Sequence, residues 1–492
     1  MTDSGRGRAL TLKTLALASG QALTALSTLL ATAVLTRALS VDEYATHRQA
    51  LMIYGVAAPL LMLGLPKALF FFLPGETRRA RAVIVENLIL LTLGGLVFAV
   101  ALPLGGARLA AARFENPGLA EPLLLMAPYA LCLAPVAALG ACLTATDRVG
   151  PLLRFNIASR ALLLAMIAAA AVLFHEAWAT LLAHALWAAL LVVPAIWLML
   201  RAVPATGERR PSRAGLRSQL SYSVPLGLAG LLGALSAQLD KLIVSSMCST
   251  REFAIYVTGA LELPLVGIIT RSMGAAVLPE FTKAHKSGEP GDIIALWQQA
   301  MHASLLLLAP VMYVVLLLGP ELMRFLFSDD YIEAAAPLRV YALLLPLRSA
   351  VYGSVLMATD RTRFVTVSAA LALAVNAGLS VLFVRWLGPT GAAWATVLTV
   401  YATTAVTLWP MADAVHCRVR DLIAWAAVFR VLLAAGAPAA LTLGVGLLVP
   451  LSGTPRLFAL GLLQAALTLG AYHLLGLGGP RTLWRTLRGR RP

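Results

Sequence analysis

Apolar runs of about 20 residues, each long enough to cross a hydrocarbon core about 30 Å thick, recur along the whole of this chain. Hydrocarbon offers no water to satisfy backbone amides, so every such run must be an α-helix bonded within its own segment. Composition agrees. Of the 492 residues, 60% are hydrophobic and 13% charged, where a soluble domain carries roughly 25% charged residues. No polar stretch is long enough to form a soluble domain. The expected class is all-α and polytopic.

Breaks between apolar runs give fourteen spans. Six lie in the first half: Leu15–Thr36, His47–Leu69, Ala82–Leu104, Pro122–Thr144, Leu152–Phe174 and Ala177–Leu200. Six follow: Gln219–Ser246, Phe253–Pro279, Ile293–Gly319, Ala334–Met357, Phe364–Trp386 and Ala392–Met411. Two more, Leu422–Val449 and Leu457–Leu477, close the chain. Arg6, Arg8 and Lys13 ahead of Ala31-Thr32-Ala33 superficially resemble a signal peptide. The run is long for a signal core and takes part in the internal repeat, so it is kept as a span.

The net charge of +16 does not call for nucleic acid, because the basic residues sit in short loops where they set orientation. Alternate loops carry twenty-five Lys and Arg, among them Arg78, Arg79, Arg81, Arg148, Arg154, Arg160 and the cluster from Arg201 to Arg217. The opposite loops carry eight, including Arg37, Arg113 and Arg251. This bias places both termini in the cytoplasm. Cys132, Cys142, Cys248 and Cys417 show no metal-ligand spacing and read as packing residues; neither a metal nor a cofactor is expected.

The chain repeats itself. Ala145-Thr146-Asp147-Arg148 recurs as Ala358-Thr359-Asp360-Arg361, a shift of 213, and Ala177-Trp178-Ala179-Thr180 as Ala393-Trp394-Ala395-Thr396, a shift of 216. Ser40 to Ala45 aligns with Ser249 to Ala254, a shift of 209. Halves with an even number of spans begin on the same side, so they are parallel repeats with a substrate site expected between them. The expected organisation is a six-helix bundle over residues 1–200, a basic cytoplasmic linker over 201–218, a second bundle over 219–414 and two further helices within 415–492.

The first span runs into Thr36-Arg37-Ala38-Leu39-Ser40-Val41-Asp42-Glu43-Tyr44-Ala45, and the seventh contains Gln238-Leu239-Asp240-Lys241-Leu242-Ile243-Val244, followed by Phe253-Ala254-Ile255-Tyr256. These segments resemble the signatures of Wzx-like polysaccharide and oligosaccharide flippases, a family of the multidrug/oligosaccharidyl-lipid/polysaccharide exporter superfamily. Ser40, Ala45 and Ala254 stand where that family usually has Gly. The resemblance implies a V-shaped pair of bundles around a cavity that opens alternately to the two sides, with the first span lining it. It also implies an undecaprenyl-diphosphate-linked oligosaccharide as substrate, the bacterial inner membrane as location, and polysaccharide-assembly proteins as partners.

Six basic residues fall inside spans: Lys67, Lys241, Arg271, Arg339, Arg348 and Arg430. Intramembrane charge is costly and marks function by default, although side chains near a span end can snorkel; Lys67 and Arg430 fit that second reading. Arg348 falls near the middle of its span. On a continuous helix Tyr341, Arg348 and Tyr352 would share one face, where rings suit sugars and a guanidinium suits phosphate oxygens. Arg271 and Glu262 flank Pro264, a candidate hinge. Asp240 and Lys241 are neighbours and would point about 100° apart, one to the cavity and one to another helix. Asp240 and Glu262 are the candidates for taking up a coupling ion. Gln21, Thr24, Thr28, Thr32 and Thr36 form a polar stripe that lines a wet cavity or lets helices approach closely.

Three functions compete. A flippase needs a cationic cavity, a multidrug antiporter favours buried carboxylates, and a glycan polymerase or ligase needs a sizeable outer loop with catalytic groups. The excess of intramembrane cations favours the first. The outer loops near Gly105 to Glu121 and Pro320 to Glu333 are too short for the third, and the scattered histidines make no motif. A cysteine placed between Arg209 and Arg217 should react with an impermeant thiol reagent only after the membrane is permeabilised. Labelling from outside alone would overturn the topology.

Overall fold

The computed structural model describes residues 23–477 apart from positions 262, 289, 351, 360 and 450. Gln21, Glu262, Asp360 and the start of the first predicted span lie outside the described residues. All described secondary structure is helical. Eleven helices are long and apolar enough to cross a membrane, and a bent pair makes up to twelve. The chain is a multi-pass membrane protein.

Backbone contacts divide it into two units, meeting at Ala254 and Ile255. The first unit holds Leu23–Ala38, Val41–Phe72, Ala80–Arg113, Met126–Ala145, Val149–Phe174, Ala177–Ala202 and Arg213–Met247. Contacts therefore group the seventh span with the first unit, whereas the sequence pattern puts the boundary before it. Packing on the second span accounts for this. That span breaks where Leu63 and Gly64 both adopt positive φ (43° and 73°), ahead of Pro66, and the seventh span lies backbone to backbone against the break. A Cβ on Gly227 would stand 2.4 Å from the Leu63 carbonyl carbon, and one on Gly64 would stand 2.8 Å from the Gly227 nitrogen. Asn87 of the third span donates to the Leu65 carbonyl oxygen at 2.9 Å, tying the third span to the backbone just after the break. Leu65, Leu69, Ile84, Leu91, Ala138 and Leu139 pack the core around it.

The second unit holds Pro264–Lys286, Gly291–Leu326, Thr366–Leu387, Pro389–Ala414, Trp425–Leu448 and Gly453–Leu474. Its core gathers Phe281, Trp297, Val355, Leu356 and Met411. The two final helices pack on Gly291–Leu326. Between them Gln464 is fully buried, accepting from the Thr442 hydroxyl (3.0 Å) and donating to the Ala435 carbonyl oxygen (3.1 Å).

The predicted eighth and tenth spans are interrupted as well. The eighth is Thr250–Gly259 and Pro264–Lys286, bent by 46°; Pro264 begins the second piece, as its missing N–H favours. The tenth, expected unbroken over Ala334–Met357, is three short helices: Ala335–Ala342, Leu345–Arg348 and Tyr352–Ala358. Pro346 lacks an N–H and its ring opposes the carbonyl four residues earlier, which weakens the helix at this point.

The four cysteines are unbridged. At the span ends, burial pushes the Cys248 thiol up to about 11, with Glu252 reinforcing the shift, and burial raises Cys417.

Gly227→Leu should destabilise the protein by about 1–3 kcal/mol, because the added atoms collide with rigid backbone. Gly230→Ala, on the same helix with nothing within 4 Å of the added Cβ, should leave the melting temperature in detergent unchanged. Equal melting of the two variants would disprove the close approach.

Candidate functional site

In membranes, backbone that leaves the helix is tolerated only where protein covers it or water reaches it, and substrate sites concentrate at such breaks. The second unit brings its two broken spans together. The Tyr256 and Tyr341 hydroxyls share a hydrogen bond of 2.9 Å. Gly259 lies against the tenth span so closely that a Cβ there would stand 2.2 Å from the Ala334 oxygen and 2.6 Å from Pro337. Pro264–Lys286 contacts both Leu345–Arg348 and Tyr352–Ala358.

The break changes the expected arrangement around Arg348. Arg348 ends its four-residue helix with an exposed side chain. Tyr341 is tied to Tyr256, whereas Tyr352 packs edge-on against Trp297 at 5.7 Å, within the core. The three do not share a continuous helical face, because the chain turns between each pair. Arg271 lies on Pro264–Lys286, with its side chain outside the described part. Arg339 serves the backbone. It donates at 3.3 Å to the Leu317 carbonyl oxygen, beside the ninth span's kink at Leu318.

Two buried carboxylates of the first unit are engaged. Asp240, 5% exposed, pairs with Lys241 at 3.4 Å, and Lys241 also donates to the Ala237 carbonyl oxygen at 3.1 Å. The expected divergence of these neighbours gives way because the long lysine stem curls back along its own helix. Glu86 is buried and accepts from Arg79 (2.8 Å), from the Ser212 N–H (2.9 Å) and from Gln219 (3.3 Å). Arg79 and Arg78 also meet Glu208. The basic linker is therefore pinned to the third span rather than loose.

The threonine stripe divides. Thr32 and Thr36 are buried at 3% exposure each, Thr24 is half-buried, and Thr28 is exposed with its hydroxyl donating to the Thr24 carbonyl oxygen at 2.9 Å. Thr32 and Thr36 serve packing, and Thr28 is open.

Two features escape the sequence pattern. His47 and His184, 137 residues apart, are both buried with ring centroids 5.3 Å apart. His47 Nδ1 donates to the Thr180 hydroxyl (2.8 Å), which is spent on the Ala177 carbonyl oxygen, and His184 Nδ1 donates to the Thr180 carbonyl oxygen (2.9 Å). No motif announces such a pair. Arg160 was assigned to a loop but lies well inside Val149–Phe174, near Tyr129 and His184. Its position eight residues into the predicted fifth span was the available signal.

The polysaccharide biosynthesis protein family model matches residues 34–336. The chain belongs to that family. It is 23% identical over 310 residues to "Probable lipid II flippase MurJ" of Rhizobium meliloti (strain 1021), covering 57% of this chain and 56% of the relative. It is 21% identical over 204 residues to "Probable low-salt glycan biosynthesis flippase Agl15" of Haloferax volcanii, covering 41% and 43%. The chain spans about half the length of the curated relatives it matches. Among solved structures, lipid II flippase MurJ in an inward closed conformation superposes with a TM-score of 0.70 at 16% identity, covering 94% of this chain and 99% of that one. An inward-facing multidrug resistance MATE family transporter of the MOP superfamily gives 0.63 at 15% identity, covering 79% and 94%. The fold is theirs.

Asp240→Asn and Lys241→Met should each lower the melting temperature, since each removes this partner from a charge that is largely out of water. The double variant should recover most of the loss. A double variant as unstable as either single one would show that the pair does not hold the helix.

Proposed function

We propose that this protein is an alternating-access flippase that carries an undecaprenyl-diphosphate-linked oligosaccharide across the bacterial inner membrane. The observation that carries the reading is the exposed Arg348 at the break of the tenth span, beside the bent eighth span. Broken helices free backbone groups for a ligand, and a charge inside a predicted span is a functional candidate by default. A diphosphate fits a planar fork of donors. Tyr341, Arg271, Lys241 and the open part of the threonine stripe are the proposed further contacts, with the lipid tail left in the bilayer. The likeness to a probable lipid II flippase and a probable glycan biosynthesis flippase supports a lipid-linked glycan as cargo.

In this reading the chain has fourteen spans with both termini cytoplasmic. Leu23–Ala38 belongs to the first, and the bent eighth and broken tenth count as one each. Two six-helix bundles and two final helices then make up the transporter, and polysaccharide-assembly proteins are its partners. Asp240 and Glu262 are the coupling candidates; ion uptake at Asp240 would release Lys241.

The rival is a multidrug antiporter of the same fold. Against it stand Glu86 and Asp240, each already paired with a cation. An organic cation such as ethidium should neither bind nor be exported.

Arg348→Ala should abolish glycan export in a cell lacking its own copy, with the protein still present in the membrane at normal level. Arg348→Lys keeps the charge without the fork and should lower export by about tenfold. Normal export with Ala would end the claim. Loss of the protein itself from the membrane would assign Arg348 to structure instead.

A further inference from the structure

The internal repeat relates two grooves at the end of the spans that the positive-inside pattern assigns to the cytoplasm. The first unit's groove, about 520 Å³, is lined by Arg148, Arg154, Phe155, Trp197, Leu198 and Arg201, among others. The second unit's, about 500 Å³, includes Arg361, Phe364, Val367, Trp409 and Asp413. The shift of 213 carries Arg148 onto Arg361 and Arg154 onto Val367, and the shift of 216 carries Trp197 onto Asp413. The shape is repeated and the charge is not.

In the second unit Arg361 is bonded to Asp413, and a valine replaces the second arginine. In the first unit three guanidiniums line the groove with no carboxylate among the lining residues. Asp147 flanks Arg148 in sequence, and three arginines against it leave the site cationic. Arg201 is held over the Trp197 ring at 4.1 Å. Arg148 also stands at the N-terminus of Val149–Phe174, which no side chain caps. A Cβ on Gly150 would meet nothing within 4 Å, so the positive end of a 26-residue helix is open to an anion.

The wall of the groove identifies the anion's carrier. Leu186, Leu190, Val193 and Trp197 recur at spacings of four, three and four, one face of the sixth span. They are 50%, 58%, 75% and 49% exposed. An exposed apolar stripe on a membrane helix meets acyl chains, and this one leads straight to Arg201. We propose that the groove binds an anionic phospholipid of the cytoplasmic leaflet. Its phosphate lies among Arg148, Arg154 and Arg201, and its chains lie along the Leu186–Trp197 stripe. Basic pockets between transmembrane helices recognise lipid phosphates in this way. The neutral groove of the second unit holds no such lipid.

The test titrates the purified full-length protein in detergent with phosphatidylglycerol or phosphatidylcholine of the same chains, counting bound lipid by native mass spectrometry. Phosphatidylglycerol should be retained in preference. The triple variant Arg148→Gln, Arg154→Gln, Arg201→Gln should weaken it by about tenfold or more, with phosphatidylcholine unaffected. Arg154→Val, which copies the second unit's residue, should weaken it in part and guards against a triple variant that folds poorly. Arg361→Gln should change nothing. Undiminished phosphatidylglycerol binding by both groove variants would overturn the proposal. So would displacement of the lipid by equal inorganic phosphate, which would make the groove a soluble-anion site.

Discussion

Each backbone N–H and C=O inside hydrocarbon must be bonded within the protein, at a cost of several kcal/mol when it is not. Long uninterrupted helices meet that demand cheaply. The informative places are those where the helix stops and something else must take over. At Leu63–Gly64 the seventh span closes over the break and Asn87 supplies a donor to Leu65. At Leu318 the Arg339 guanidinium reaches the Leu317 carbonyl oxygen. In both cases the break is covered by protein.

The eighth and tenth spans differ in that two interrupted helices pack against each other. A tyrosine pair joins them, Gly259 brings the two backbones together, and Arg348 emerges exposed. Continuous helices would have placed Arg348 between two aromatic rings on one face. Discontinuous ones separate packing, given to Tyr352, from tethering, given to Tyr341, and leave Arg348 exposed at the end of its short helix.

Charge follows the same economy. Glu86 and Asp240 are satisfied by Arg79 and Lys241, and the first of these pairs also anchors the linker through Ser212. Pairing in the first unit engages these two acids, while the Arg148–Arg154–Arg201 groove has no carboxylate among its lining residues. The repeat shows how such a surplus arises. One half keeps Asp413 against Arg361, and the other has a tryptophan at that place.

Much was legible from the residues alone. Periodicity and length determined the all-helical membrane class, because hydrocarbon permits a chain without closed sheets nothing else. The near-constant offset of three short matches pointed to an internal repeat, and Pro264 marked a real bend. Side-chain pairing was not legible, because it depends on which faces meet. His47 finds His184 across 137 positions, and Lys241 curls onto Asp240 instead of diverging from it. Pro346 was in plain view, yet whether a proline kinks a span or divides it depends on what packs over the freed carbonyls. The sequence determined that this chain crosses the membrane many times with more positive than negative charge inside it. Only the tertiary structure decided which charges are neutralised and which helices break, since both are settled by neighbours remote in the chain.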